Sequence, residues 1–246
     1  MPEETSKAVV RRMHTPGFVT RYFVGDGIDI GAGADSLAQW HEQFPLMKSL
    51  RSFDGEPKAR PDILGDANTM EIKGRGRVED NRYDFVHSAH CLEHMADPKA
   101  ALLHWWRILK PGGHLIVVVP DEEMYEQGEW PSTFNKDHKA SFSTRNNGQF
   151  LGANVNVLDL VLELPDGHVI RIERLENTYR GWITEQAGRI DQTISSVTEA
   201  AIEFVVRKGR PPEPTEDDMP DPVEPDTDEN HQADVDELEQ LDREDE

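Results

Sequence analysis

Three stretches of this 246-residue chain combine residue types and spacings that can do chemistry. The first is Gly27-Ile28-Asp29-Ile30-Gly31-Ala32-Gly33-Ala34-Asp35, a short apolar run that ends in two glycines. Glycines where a strand turns into a helix let the backbone bend tightly and let a ligand touch the main chain. The helix start that follows offers N–H groups and a positive dipole end. A dinucleotide fingerprint would place a third glycine where Ser36 stands, and Asp35 would repel a pyrophosphate. The cradle therefore favours a polar ligand without phosphates. The second stretch is His87-Ser88-Ala89-His90-Cys91-Leu92-Glu93-His94, and the third is Trp130 to Lys139, which carries Asp137 and His138. Imidazoles and carboxylates of this kind can take a proton near neutral pH. The candidates for such a base are His90, Glu93, His94, Asp121, Tyr125, Asp137 and His138, with His138 preferred and Asp137 and His90 beside it. His90, Glu93 and His94 also have the His-x-x-Glu-His spacing of an inverted zincin motif. They sit at a strand end and no third ligand is evident, so no metal is expected.

The elements that must position these residues alternate between strand-like and helix-like apolar periods, which implies an α/β chain. Residues 15–24 read as a short lead-in helix, 27–31 as the first strand and 35–46 as a helix with Leu37, Trp40 and Phe44 on one face. Strands follow at 49–54, 61–65 and 83–89. Only six residues join the second and third strands, too few for a helical crossover. Asp97-Pro98 reads as an N-cap with proline in the first turn, opening a helix to about Leu109 that buries Ala101, Leu102, Trp105, Ile108 and Leu109. Lys110-Pro111-Gly112-Gly113 stops it. The run at 114–120 suits a strand buried on both faces. Farther on, 157–164 and 168–175 around Pro165-Asp166-Gly167 read as a hairpin, and 202–208 as a final strand.

Composition bounds the function. Of the net charge of −22, residues 211–246 carry −16, which leaves −6 for the rest of the chain. That tail holds 17 acidic residues, one arginine and six prolines, and reads as disordered. Its Val235–Leu241 stretch could form a helical turn or two on a protein partner. The expected layout is a lead-in segment over 1–25, a domain over 26–210 and an acidic tail over 211–246. No basic stripe suggests nucleic acid, and no apolar run approaches the ~20 residues of a membrane span. Residues 1–25 lack a secretory apolar core. With a single cysteine, Cys91, the default compartment is the cytoplasm.

Three segments in order carry a resemblance: Asp29-Ile30-Gly31-Ala32-Gly33, then Tyr83 through Pro98, then Arg107-Ile108-Leu109-Lys110-Pro111-Gly112-Gly113-His114 and the apolar run to Pro120. Together they resemble class I S-adenosylmethionine-dependent methyltransferases of the type 11 group, over about residues 24–150 and again at 202–208. The resemblance implies a Rossmann-like, doubly wound, mostly parallel seven-stranded sheet with one late antiparallel strand. It implies S-adenosylmethionine as cofactor, with Asp29, Gly31 and Gly33 facing its methionine half and His87 and Ser88 lining that end. By the same resemblance, Asp54 would bind the ribose hydroxyls, and Asp66 and Ala67 the adenine. The acceptor would be a small molecule or a glycan-like group methylated on oxygen or nitrogen. Two other classes remain: a methyltransferase-fold binding or assembly protein with little catalysis, and a nicotinamide dehydrogenase, which Ser36 and the Lys-Pro-Gly-Gly run disfavour. Asp84 is expected only to stabilise the start of its strand.

Overall fold

The computed structural model describes residues 4–145 and 154–209. In chain order the elements are α1 (Glu4–Met13), α2 (Phe18–Tyr22), β1 (Gly25–Ile30), β2 (Met47–Asp54), β3 (Ile63–Asp66), β4 (Glu71–Ile72), β5 (Gly76–Arg77) and β6 (Tyr83–Ala89). They continue with α3 (Pro98–Ile108), β7 (Leu109–Pro120), β8 (Ser141–Ser143), β9 (Asn154–Asn156), α4 (Val157–Leu162), β10 (Gly167–Leu175), α5 (Gly181–Ala187) and β11 (Ala201–Lys208).

One sheet of nine strands, in the order β10-β11-β7-β6-β1-β2-β3-β4-β5, organises them. Its β3-β2-β1-β6-β7 section is parallel, β11 pairs antiparallel with β7, and β10 pairs antiparallel with β11. Seven strands thus form the expected doubly wound sheet with β11 alone reversed. The two-residue strands β4 and β5 extend its β3 edge and raise the count from seven to nine. The chain order reverses between β1 and β6, and in open α/β sheets ligands bind at that crevice, outside the carboxyl ends of the strands.

Alternation along the strands splits the core in two. Ile28, Ile30, Val86, Leu115, Val117 and Val119 face α3 with Leu102, Trp105 and Ile108. Phe85, Ile116 and Val205 face the opposite layer with Val9 of α1, Phe18, Tyr22, Phe23 and Phe44. Asp97 caps α3 through a bond from Ala100 N at 3.0 Å, with Pro98 in the first turn. Asp84 accepts from Asp26 N and Lys110 Nζ, both at 2.8 Å, and so ties β1 to β6 and β7.

Several expectations are corrected. The segment 157–164 is not a strand: Val157–Leu162 is helical, because Asn156 caps it by accepting from Leu158 N and Asp159 N, and Val157, Leu160, Val161 and Leu164 are buried at helical spacing. The antiparallel partner of β10 is therefore β11. Residues 35–46 hold a 3-10 helix over Leu37–Gln43 rather than an α-helix. The lead-in helix covers only Phe18–Tyr22, and α1 lies ahead of it. Lys110-Pro111-Gly112-Gly113 does not end the α3 segment in a free turn but bulges within β7, since Tyr83 pairs with Leu109 while Phe85 pairs with His114. A Cβ at Gly113 would stand 2.5 Å from the Asp84 carbonyl oxygen, so only glycine fits. The short link from β2 to β3 is a single 3-10 turn at Pro57–Ala59, and β3 has only four residues. The acidic tail over 211–246 lies outside the described residues.

Candidate functional site

A cavity of about 690 Å³ opens at the carboxyl edge beside the switch point. Gly31, Asp54, Gly55, Gly65, Asp66, Ala67, His90, Cys91, His94 and Met95 are among its lining residues. Strand ends explain the assembly: β1 delivers Gly31, β2 Asp54, β3 Asp66 and β6 His90. Gly31 has φ +69°, and a Cβ there would sit 2.4 Å from Cys91 Sγ, so the turn requires glycine on both counts. Gly31 N bonds to Phe53 O at 2.9 Å, and Gly33 N to Asp54 Oδ2 at 2.8 Å. Asp54 also accepts from Glu56 N at 2.7 Å. Each of its oxygens thus holds one backbone N–H and keeps capacity for a second donor. Asp66 is exposed and accepts from Asn68 N at 2.9 Å, while Trp105 Nε1 donates to Ala67 O at 2.8 Å and fixes that turn from the core.

Four sequence expectations change. Asp29 is 1% exposed and does not reach the cavity. One of its oxygens accepts from Ser36 Oγ and Leu37 N, at 3.0 and 2.8 Å, and the other pairs with His87 Nδ1 at 2.7 Å. The start of the 3-10 helix is therefore capped from within rather than presenting free N–H groups. His87 and Ser88 have no exposed surface and do not line the cavity. They point to opposite sides of β6, where His87 Nε2 meets Arg12 at 3.0 Å and Ser88 Oγ donates to Ile30 O at 2.9 Å. Burial holds the His87 imidazole below its ordinary pKa, outweighing Asp29. Gly33 shapes the turn but is not among the lining residues. Asp35 accepts from Ser6 N at 2.9 Å and from its hydroxyl, and so anchors α1.

On the acceptor side, a cluster of imidazoles and carboxylates surrounds Glu93, which has no exposed surface. His90 Nδ1, His138 Nε2 and His94 Nε2 lie 3.4, 3.9 and 4.0 Å from Glu93 Oε1. His138 Nδ1 bonds to Glu126 Oε1 at 2.8 Å, and His94 Nδ1 to the Asp137 carbonyl at 3.2 Å. His90 Nε2 faces Glu4 of α1 at 3.5 Å. Burial raises the Glu93 carboxyl, but His90, His94 and His138 outweigh it and hold the pKa below its usual range. His90 is raised: burial works against its charged form, yet Glu4 and Glu93 prevail.

The preferred base, His138, is 6% exposed and does not line the cavity; His94, whose ring centroid lies 5.0 Å away, does. Asp137 is exposed and contributes only its carbonyl here, because its side chain belongs to the loop surface. Asp121 caps the turn at 122–126 through Glu123 N and Met124 N. Tyr125 packs its ring 5.1 Å from that of His138. Glu4 and Glu126 were not singled out by sequence. Neither belongs to a motif, and both arrive through long-range packing.

Among known proteins, a family model described as a methyltransferase domain matches residues 17–154. No curated protein matches the chain. Among solved structures, the chain superposes with TM-score 0.57 and 18% identity on a chain of the complex between the Haloferax volcanii Trm112 methyltransferase activator and a methyltransferase, covering 84% of this chain and 94% of that one. A Thermotoga maritima S-adenosylmethionine-dependent methyltransferase aligns at TM-score 0.52 and 19% identity, covering 83% and 91%. A Mesorhizobium loti S-adenosylmethionine-dependent methyltransferase gives 0.51 and 15%, covering 83% and 98%. These structures share the fold. S-adenosylmethionine is the cofactor that the domain implies, and the open carboxylate positions of Asp54 and Asp66 along a cavity of this size fit a nucleoside. The chain belongs to the methyltransferase-domain family of class I, Rossmann-like fold.

Proposed function

We propose that the protein transfers a methyl group from S-adenosylmethionine to an oxygen or nitrogen of a small-molecule or glycan-like acceptor. The observation that carries the reading is one continuous cavity lined by Asp54, Asp66 and Ala67 as well as by His90 and His94. Asp54 would accept from the ribose hydroxyls, the Asp66–Ala67 turn would hold the adenine, and Gly31 would let the methionine half approach the main chain. When bound, the cofactor supplies an electrophilic methyl on its sulfonium. The chain has only to align the acceptor and receive its proton, and alignment alone supplies ~7–11 kcal/mol of the barrier. His94, at 31% side-chain exposure, is the proton acceptor, held by the Asp137 carbonyl on Nδ1 and by the His138 ring beside it.

Calorimetry with S-adenosylmethionine and with NAD tests the cofactor. Saturable binding of the former alone is expected, and binding of NAD alone would overturn the reading. Mass-spectrometric screening of hydroxyl and amine acceptors tests turnover, and His94→Ala should lower it by ~10²–10⁴. A second reading, a binding or assembly role, is favoured by the similarity to a chain from an activator complex. Tight cofactor binding with no turnover on any acceptor would select it.

A further inference from the structure

The cluster around Glu93 has a tautomer problem. An ionised carboxylate and a peptide carbonyl can only accept, so Glu126 and the Asp137 carbonyl require that His138 and His94 each donate from Nδ1. In their neutral forms both rings then turn an Nε2 lone pair toward Glu93 Oε1, at 3.9 and 4.0 Å. Neither Glu93 oxygen has a hydrogen-bond partner, although the side chain is wholly buried. His90 Nδ1 offers Glu93 Oε1 a proton from another side, at 3.4 Å, but the His94 and His138 lone pairs face the carboxylate with no proton between them and are repelled by it. A cation between them reverses the sign.

We propose that Glu93, His94 and His138 bind one divalent first-row transition-metal ion. Three donor atoms, one from each residue, lie within 4.8 Å of one another. A tetrahedral ion with bonds of about 2.0–2.2 Å needs donors about 3.4 Å apart, so the carboxylate-to-imidazole distances, 3.9 and 4.0 Å, must close by about half an ångström, and the donor pair farthest apart, within 4.8 Å, by up to about 1.4 Å. Two imidazoles and a carboxylate suit zinc, cobalt or iron over magnesium or calcium. The surroundings are also those of a metal site. Metal-bound histidines almost always donate the other ring nitrogen to a carboxylate or a backbone carbonyl, and His138 does the first while His94 does the second. Three ligands leave a position open, and the partial exposure of His94 on the cavity wall places the ion beside that cavity. If the methyl-transfer reading holds, on which this last step rests, the open position would take a hydroxyl oxygen of the acceptor and favour its deprotonated form, the proton passing to water in the cavity, with His94 then serving as a ligand in place of its role as proton acceptor. The sequence expectation of no metal rested on the position at a strand end and on the lack of an evident third ligand. His138 is that ligand, 44 residues beyond His94 in the chain.

The test uses untagged full-length protein, stripped with a chelator and titrated with Co²⁺. One Co²⁺ per chain, with visible d–d absorption, is expected for the wild type and for His41→Ala, which removes an exposed histidine elsewhere. His94→Ala should abolish the absorption, and Glu126→Gln should weaken binding ~10–100-fold. Glu93→Gln is the stricter variant but alters a buried charge. His94 is partly exposed, so His94→Ala decides the matter should Glu93→Gln fail to fold. No saturable binding by the wild type, or undiminished binding by His94→Ala, would overturn the proposal. Calorimetry with S-adenosylhomocysteine on the same stripped protein separates the two readings. Cobalt binding without cofactor binding defeats the methyl-transfer reading alone, and cofactor binding without cobalt binding defeats the metal site alone.

Discussion

Replacing Glu203 with glutamine should unfold the molecule more readily than most single changes, and the effect should depend on pH in a defined direction. Glu203 lies on β11 with no exposed surface. Arg12 Nε meets its Oε2 at 2.7 Å, while Arg11 reaches both oxygens at 3.0 Å. Arg12 is itself fully buried, between the rings of Phe18 and Phe23 at 5.6 and 5.4 Å, and touches His87, which pairs with Asp29. Burial raises the Glu203 carboxyl, but Arg12 and Arg11 outweigh it and bring its pKa down to about 2 from 4.5. A folded pKa below the unfolded one means stability that is fully present above about pH 4.5 and lost as pH falls through 2. A difference of about 2.5 units corresponds to roughly 3 kcal/mol, of which roughly 2 kcal/mol is gone by pH 3. The glutamine variant also strands the buried Arg12 charge, for which a cost of about 3–5 kcal/mol is usual. Urea unfolding followed by tryptophan fluorescence at pH 7, 4.5 and 3 measures both quantities. The wild type should exceed the variant by several kcal/mol at pH 7, with the gap narrowing toward pH 3. A gap under 1 kcal/mol at pH 7, or one that does not narrow, would refute the reasoning. Because the same chain of contacts ends on Asp29 beneath the Gly31 turn, the variant should also bind S-adenosylhomocysteine more weakly.

Three other outcomes are expected. Asp54→Ala removes the acceptor for Gly33 N and, on the proposed reading, for two ribose hydroxyls, and should cost about 1–3 kcal/mol of S-adenosylhomocysteine affinity by calorimetry; unchanged affinity would remove Asp54 from the site. Gly31→Ala drives a methyl into Cys91 Sγ from a positive φ and should lower stability by about 1–3 kcal/mol or more. Adding Cys91→Gly, which removes both the Sγ and the Cβ 2.5 Å from the new methyl, should restore part of that loss, and strict additivity of the two changes would show that the collision is not the cause. A chain ending at Arg210 lacks only the proline-rich, strongly acidic tail and should melt within a few degrees of the full chain; a large fall in Tm by calorimetric scan would show that the tail contributes to folding.

What the sequence determined by itself is what local chemistry specifies. Apolar runs bounded by glycine, aspartate and proline marked β1, β2, β3, β6 and the β7 core to within a few residues, and Asp97-Pro98 marked the start of α3. Asp54 and Asp66 were legible as site candidates through the family resemblance, which assigns an acid to each of those two strand ends, and both line the cavity at that edge. The helix at 157–162 was legible in principle, through Asn156 and the apolar spacing 157, 160, 161 and 164, but the flanking turn favoured a hairpin reading. Only the tertiary structure decided which chemistry-bearing groups are buried and what they meet. Asp29 and His87 have the residue types of a binding site, yet the docking of α1 turns them into internal partners of Arg12 and Glu203. The Glu93 cluster joins residues from 4, 90, 93, 94, 126 and 138 through contacts that span up to 86 positions. Such contacts leave no local period or cap in the sequence, because their geometry is set by packing between distant segments rather than by the backbone preferences of any one of them.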